Sequence, residues 1–144
     1  MSEYVYKNLY QKLTEWMPEE RVKKEEPMRL HTTFRVGGPA DLFVSPNSVE
    51  EVCKVTALCR EEGVPYYIMG NGSNLLVSDQ GYRGVIIQFY KEMNDISVEG
   101  TLLRAQAGAL LSAVANRALL ESLTGFEFAA GIPGTLGGAC VMNA

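Results

Sequence analysis

Two glycine-dense stretches are the places where this chain could hold a ligand with its backbone. One is Gly70-Asn-Gly-Ser-Asn74 and the other is Gly131-Ile-Pro-Gly-Thr-Leu-Gly-Gly138, followed by Asn143-Ala144. Nine of the 14 glycines fall within 70–84 and 125–144. Glycine gathers where the chain needs positive φ or must approach another group closely. Two such clusters therefore suggest two backbone surfaces closing on one ligand. The chain stops inside the second stretch, so we expect it to be about half of a larger protein.

The first stretch lies between an apolar run, Tyr66 to Met69, and Leu75-Leu-Val77. A Rossmann turn needs a third glycine and a following helix. Here position 75 is Leu and the next residues read as extended. No G-K-[ST] of a P-loop follows either. What remains is a tight turn whose successive N–H groups can form an anion-binding nest, with Ser73 and Asn74 adding donors. The alternative is an ordinary β-turn on Asn71-Gly72. In the second stretch Pro133 removes one N–H, and Gly134, Gly137 and Gly138 leave a surface almost without side chains. A helix starting near Thr135 would turn free N–H groups and its positive dipole end outward, which suits a phosphate or a flat ring. The alternative is a glycine packing contact between helices. A third site, Gln106-Ala-Gly-Ala109, either lets a ligand approach or is a plain strand–helix turn.

Single residues offer less. His31 is the only histidine, with no acid beside it in sequence, and reads as structural or exposed. Cys140 has no histidine partner to activate it. Cys53 and Cys59 lie six apart on a helix, hence on different faces, so no metal site is expected. Arg35 could meet a phosphate but reads as a surface ion-pair member. No catalytic residue is named.

The elements that would position these groups follow from periodicity. Leu9, Leu13 and Trp16 predict a helix over about 3–17, ended by Pro18. Residues Glu19 to Glu26 read as a solvated charged connector. Leu30 to Val36 and Ala40 to Val44 read as strands around a Gly37-Gly38-Pro39 turn. Ser48-Val-Glu-Glu51 has capping-box spacing, and Val49, Val52, Val55 and Cys59 form an apolar stripe, so a helix is predicted over about 49–62 with Gly63 as its stop. Tyr66 to Met69 is predicted as a short buried strand, with one of the two tyrosines in the core. Further strands are predicted at 85–89, 96–99 and 102–107, with Gly100-Thr101 as a hairpin turn. A helix over 110–122 places Leu111, Val114, Ala118 and Leu119 on one side and stops at Gly125. This order favours an α+β fold with small mixed sheets over a doubly wound one.

At 144 residues and 47% apolar content the chain can bury a core. Its net charge of −4 argues against non-specific nucleic-acid binding. Three cysteines without a C-x-x-C pair suggest reduced thiols. No leader peptide or membrane-spanning run is visible, so a cytoplasmic protein is expected.

Three segments in register carry a family resemblance: His31-Thr-Thr-Phe-Arg-Val-Gly-Gly-Pro-Ala40, Gly70-Asn-Gly-Ser-Asn-Leu-Leu-Val77 and Gly125 to Gly138. Together they resemble the UDP-N-acetylenolpyruvoylglucosamine reductases, from about residue 28 onward. The resemblance implies a two-lobed FAD-binding fold of the vanillyl-alcohol-oxidase/PCMH type. It divides the chain into an N-terminal helix and connector (1–26), a first lobe (27–70) and an incomplete second lobe (71–144), with the substrate-binding domain absent. FAD would place its pyrophosphate on Gly70, Asn71, Gly72, Ser73 and Asn74, next to Leu75. Tyr67, Ile68 and Met69, with Ala107 and Gly108, would border the flavin and its linker. Gly131, Ile132, Pro133, Gly134, Thr135, Gly137 and Gly138 would cover the flavin side, and Asn143 would sit near the ring. NADPH would reduce the flavin, which would reduce the enolpyruvyl group of a UDP-sugar, in a monomer engaging neither nucleic acid nor membrane. The family's catalytic arginine, its serine or cysteine proton donor and its late glutamate have no counterpart here. The fragment alone is expected to be inactive. A different flavin oxidase of the same fold, or a non-catalytic nucleotide-binding module, are the alternatives.

Overall fold

The structure is a computed structural model and describes residues 3–144. Met1 and Ser2, which open the expected N-terminal segment, lie outside the described residues. Four helices are described: α1 (Glu3–Thr14), α2 (Val49–Glu61), α3 (Leu111–Leu120) and α4 (Leu136–Met142). Six strands accompany them: β1 (Val22–Pro27), β2 (Pro39–Val44), β3 (Tyr66–Met69), β4 (Tyr82–Gln88), β5 (Ile96–Glu99) and β6 (Leu102–Ala105).

The larger sheet has the order β1-β2-β4-β3, and it is mixed: β1 runs antiparallel to β2, while β2, β4 and β3 are parallel. It therefore joins residues on both sides of position 70. The central strands β2 and β4 are covered on both faces, which is why they read as nearly continuous apolar runs. One face packs Leu42, Val44, Val85 and Ile87 against Leu9 and Leu13 of α1 and Val55 and Cys59 of α2. The other buries Ala40, Phe43, Ile86 and Met69 with Met28, flanked by Leu75 and Val77. The smaller sheet is the hairpin β5–β6, closed by Gly100-Thr101 as expected.

The cap of α2 forms with a difference. Ser48 Oγ accepts from the N–H of Glu51, but the Glu51 carboxylate reaches Asn47 N–H (2.8 Å) rather than returning to Ser48. The same carboxylate accepts a two-pronged bond from Arg21 (2.6 and 2.9 Å), and that hydrogen bond is the main reason its pKa lies below the usual value. Gly63, at φ +66°, ends the helix, with Val64 N–H donating to Cys59 C=O.

Several expected elements are corrected. The segment 30–36 is no strand: Met28–Leu30 is a 3-10 turn and the rest is irregular. Its side chains alternate well enough for a strand, but Thr32 Oγ1 bonds Val36 C=O and Arg35 takes φ +56°, curling the backbone. The charged connector instead supplies β1, an edge strand in which only Val22 is fully buried. Edge strands tolerate charge, and Lys24 lies 4.5 Å over the Tyr10 ring. β3 is likewise at an edge; Tyr66 packs on the core, while Tyr67 and Ile68 are half exposed rather than buried. α1 ends at Thr14, so Trp16 packs on the core from beyond the helix. β4 starts at Tyr82, three residues earlier than expected, and β6 stops at Ala105. Val49 and Leu119 face outward, off their expected stripes. α3 is ended by Ser122, at φ +56°, not by Gly125, with Leu123 N–H donating to Ala118 C=O.

Candidate functional site

The turn from Gly70 to Asn74 leaves the end of β3 and folds back beside it. Its carbonyl side is tied down: Gly72 C=O accepts from Thr33 N–H at 3.1 Å, and the Thr33 hydroxyl lies 3.4 Å from Ser73 C=O. Its amide side is free. Among the described residues, none of the five N–H groups of Gly70 to Asn74 donates to a protein acceptor. The turn borders a cleft and the protein leaves these five donors unused, so they are available to an acceptor from outside. Gly72 holds φ +73°, and a Cβ there would overlap the carbonyl oxygen of His31, so only glycine fits.

This turn forms one wall of a cleft of about 520 Å³, within the ~300–1,000 Å³ common for small-molecule and cofactor sites. Tyr67, Ile68, Met69 and Leu75 line the same wall, and Ala107, Ile132, Pro133, Gly134, Thr135, Gly137 and Gly138 line the other. Three expected residues stay out of the lining. Gly108 packs beneath the carbonyls of Phe89 and Met93. Gly131 is exposed, and Asn143 caps the end of α4 at φ +55°. Phe89, Ala139, Val141, Met142 and Ala144 line the cleft without having been expected there. For Ala139 and Met142 the signal was available, since they stand one helical turn apart on α4.

The expectation that α4 offers free amides to a ligand is overturned. Leu136 N–H donates to Ala109 C=O (2.8 Å), Gly137 N–H to Ala107 C=O (2.9 Å), and Gly138 N–H to the Thr135 hydroxyl (3.3 Å). The carbonyls of the β6–α3 connection take the groups that a ligand would otherwise meet. This close approach is what the glycines permit: a Cβ on Gly137 would stand 2.9 Å from that of Ala107. Thr135 joins the two walls. Its side chain is buried, caps α4 and rests on Gly70, where any Cβ would collide with it. The wall carrying α4 thus contributes shape and apolar surface, and the wall carrying the turn contributes donors.

The electrostatics follow from the same facts. Among the described residues no Asp, Glu, Lys, Arg or His side chain lines the cleft. An anion entering it meets amide dipoles and no local repulsion, despite the net charge of −4. His31 is kept from the cleft. It is buried, stacks on Phe43 at 4.1 Å between ring centroids, and donates from Nε2 to Glu26 at 2.9 Å. Burial lowers its pKa, and the Glu26 bond offsets part of that. Cys59 is buried, which pushes its thiol up to about 11, whereas Cys53 and Cys140 are exposed. Arg35 is exposed and lies outside the cleft lining.

FAD fits what is present: a row of unpartnered donors for its diphosphate, and a side-chain-poor, apolar opposite wall for its ring. Known proteins agree. The chain is 50% identical over 137 residues to the UDP-N-acetylenolpyruvoylglucosamine reductase of Alkaliphilus metalliredigens, a match covering 95% of this chain and 45% of that protein. The crystal structure of UDP-N-acetylenolpyruvylglucosamine reductase (MurB) from Thermus caldophilus superposes with a TM-score of 0.69 at 35% identity, over 86% of this chain and 42% of that one. The p-cresol methylhydroxylase structure superposes with a TM-score of 0.65 at 18% identity, over 85% and 26% of the two chains, and shares the fold alone. The chain spans less than half the length of the reductases it matches. Its architecture is the α+β, two-lobed FAD-binding fold of the vanillyl-alcohol-oxidase/PCMH type. With the FAD binding domain family matching residues 40–144, across both walls of the cleft, this chain belongs to that family.

Proposed function

We propose that this chain is the FAD-holding part of a reductase that converts UDP-N-acetylenolpyruvoylglucosamine to UDP-N-acetylmuramate in peptidoglycan synthesis, with NADPH as reductant. The observation that carries the reading is the run of unpartnered amides from Gly70 to Asn74 on an uncharged cleft wall. In the overall reaction NADPH gives up a hydride and becomes NADP+. The enolpyruvyl double bond gains that hydride at one carbon and a proton at the other. FAD, when bound, supplies the two-electron relay between them.

The residues of this chain bind and orient. The amides of Gly70 to Asn74 grip the diphosphate. Gly134 and Gly137 let this wall close on Ser73 and Ala107, which leaves a low, apolar face for a flat ring. Phe89, Ile132, Pro133, Val141 and Met142 exclude water from that ring. With no Asp, Glu, Lys, Arg or His in the cleft lining among the described residues, these residues bind the cofactor and none is catalytic. Residues 1–144 alone hold the cofactor without turnover. The protein acts as a cytoplasmic monomer on a small-molecule UDP-sugar, with neither nucleic acid nor membrane as partner. Among the described residues no helix is long and apolar enough to cross a membrane.

The test is a titration of the purified chain with FAD, followed by flavin fluorescence. We expect saturable one-to-one binding, release of FAD on denaturation, and competition by ADP but not by adenosine. Adenosine competing as well as ADP would refute the amide grip. The activity is tested on the longer gene product: NADPH consumption must depend on the enolpyruvyl UDP-sugar.

A further inference from the structure

The sequence HTTFRVGG, residues 31–38, contributes no residue to the cleft lining, yet two of its polar side chains, His31 and Thr32, are buried. Burying polar side chains in an irregular loop is costly unless they are bonded, and here each is. His31 is held from three sides: the Glu26 carboxylate accepts its Nε2–H at 2.9 Å, the Phe43 ring of β2 stacks on it at 4.1 Å, and its own N–H donates to Met28 C=O at 2.9 Å. The Thr32 hydroxyl closes the loop by donating to Val36 C=O at 3.1 Å. The part of the loop fixed this way is the part that backs the amide turn. The His31 carbonyl oxygen occupies the space where Gly72 lacks a Cβ, and Thr33 N–H donates to Gly72 C=O.

We propose that His31 is a positioning residue for the cofactor-binding turn: its ring, clamped between Glu26 and Phe43, seats residues 31–33 against Gly72 and so holds the five amides in register for a diphosphate. It never touches the ligand. It acts by keeping the donors preorganised, which removes an ordering cost from binding. The inference rests on the FAD reading only for the identity of the ligand, since the rigidity of the turn is a property of the chain itself.

The experiment compares His31→Leu and His31→Gln with the parent chain by two readouts. The first is 15N relaxation of the Gly70–Asn74 amides without FAD. We expect order parameters near about 0.85 in the parent, falling below about 0.6 at Gly72 and Ser73 in His31→Leu. The second is the FAD dissociation constant, expected to rise about tenfold or more in His31→Leu, as preorganisation is lost. His31→Gln, which keeps a donor for Glu26, is expected to restore most of both. If His31→Leu lowers only the melting temperature, leaving the order parameters and FAD affinity unchanged, His31 is a plain core residue and the proposal is wrong. If the relaxation changes occur in a chain that binds no FAD, the positioning role stands and the cofactor assignment fails. Should His31→Leu not fold, Phe43→Leu keeps the hydrogen bond, removes the stacking face and carries the same two readouts; unchanged values there overturn the proposal.

Discussion

Two glycines at the ends of different elements provide a matched measurement of how tightly the amide turn is backed. Gly63 and Gly72 have nearly the same left-handed backbone, φ +66° and +73°. A Cβ at Gly63 would meet nothing within 4 Å, whereas one at Gly72 would overlap the His31 carbonyl and stand 3.0 Å from the Thr32 Cα. Alanine at either site bears the left-handed cost of roughly 1–2 kcal/mol. Reduced freedom of the unfolded chain returns some ~0.4–1 kcal/mol in both cases. A net loss of about 1 kcal/mol is therefore expected for Gly63→Ala. At Gly72 the obstructing atoms are backbone and cannot rotate away, so the turn or the loop must move. With a bonded pair disturbed as well, Gly72→Ala should cost about 3 kcal/mol. For a domain of this size that corresponds to roughly 4 °C and 12 °C of melting temperature respectively. Urea denaturation of both variants, with thermal melting as a check, reads the difference directly, and only Gly72→Ala should weaken FAD binding. Equal losses in the two variants would mean that the 31–33 loop does not press on Gly72, and the account of why the turn is rigid would be refuted.

Two further outcomes are expected. Thr135→Ala removes the cap of α4 and the contact with Gly70, and should cost about 1–2 kcal/mol, with Thr135→Ser recovering the cap portion; a serine variant as weak as alanine in urea denaturation would show that the hydroxyl is not the cap. Stability should also fall in two steps as pH is lowered. His31 has a pKa depressed below 6.5 by burial, so its contribution is complete above about pH 6.5 and is lost as pH drops through the depressed value. Glu51 is depressed below 4.5 by Arg21, so its contribution is complete above that pH and disappears further down. His31→Gln should abolish the upper step and leave the lower one, as followed by denaturation midpoints across pH.

The helix α2, the strands β2 and β4, and the glycine segments were legible in the sequence because their signals are local. A capping serine, an apolar run and a φ > 0 requirement act within a few residues. Their order along the chain also sufficed to recognise the FAD-binding family. β1 was not legible, because a strand made of Lys23, Lys24, Glu25 and Glu26 owes its existence to the partner beside it and not to its own residues. The reverse error at 30–36 has the same origin: the apolar alternation is there, but no neighbouring strand is.

The site divides along the same line. That Gly70 to Asn74 makes a tight turn with donors is a property of five residues. Which amides remain free was decided by tertiary contacts. The carbonyls of Ala107 and Ala109 consume the first N–H groups of α4, while nothing among the described residues consumes those of the turn. Hydrogen-bond capacity is written in every peptide unit, but its use depends on what the fold brings within about 3 Å of it, and only the folded chain assigns one wall of this cleft to gripping and the other to shape.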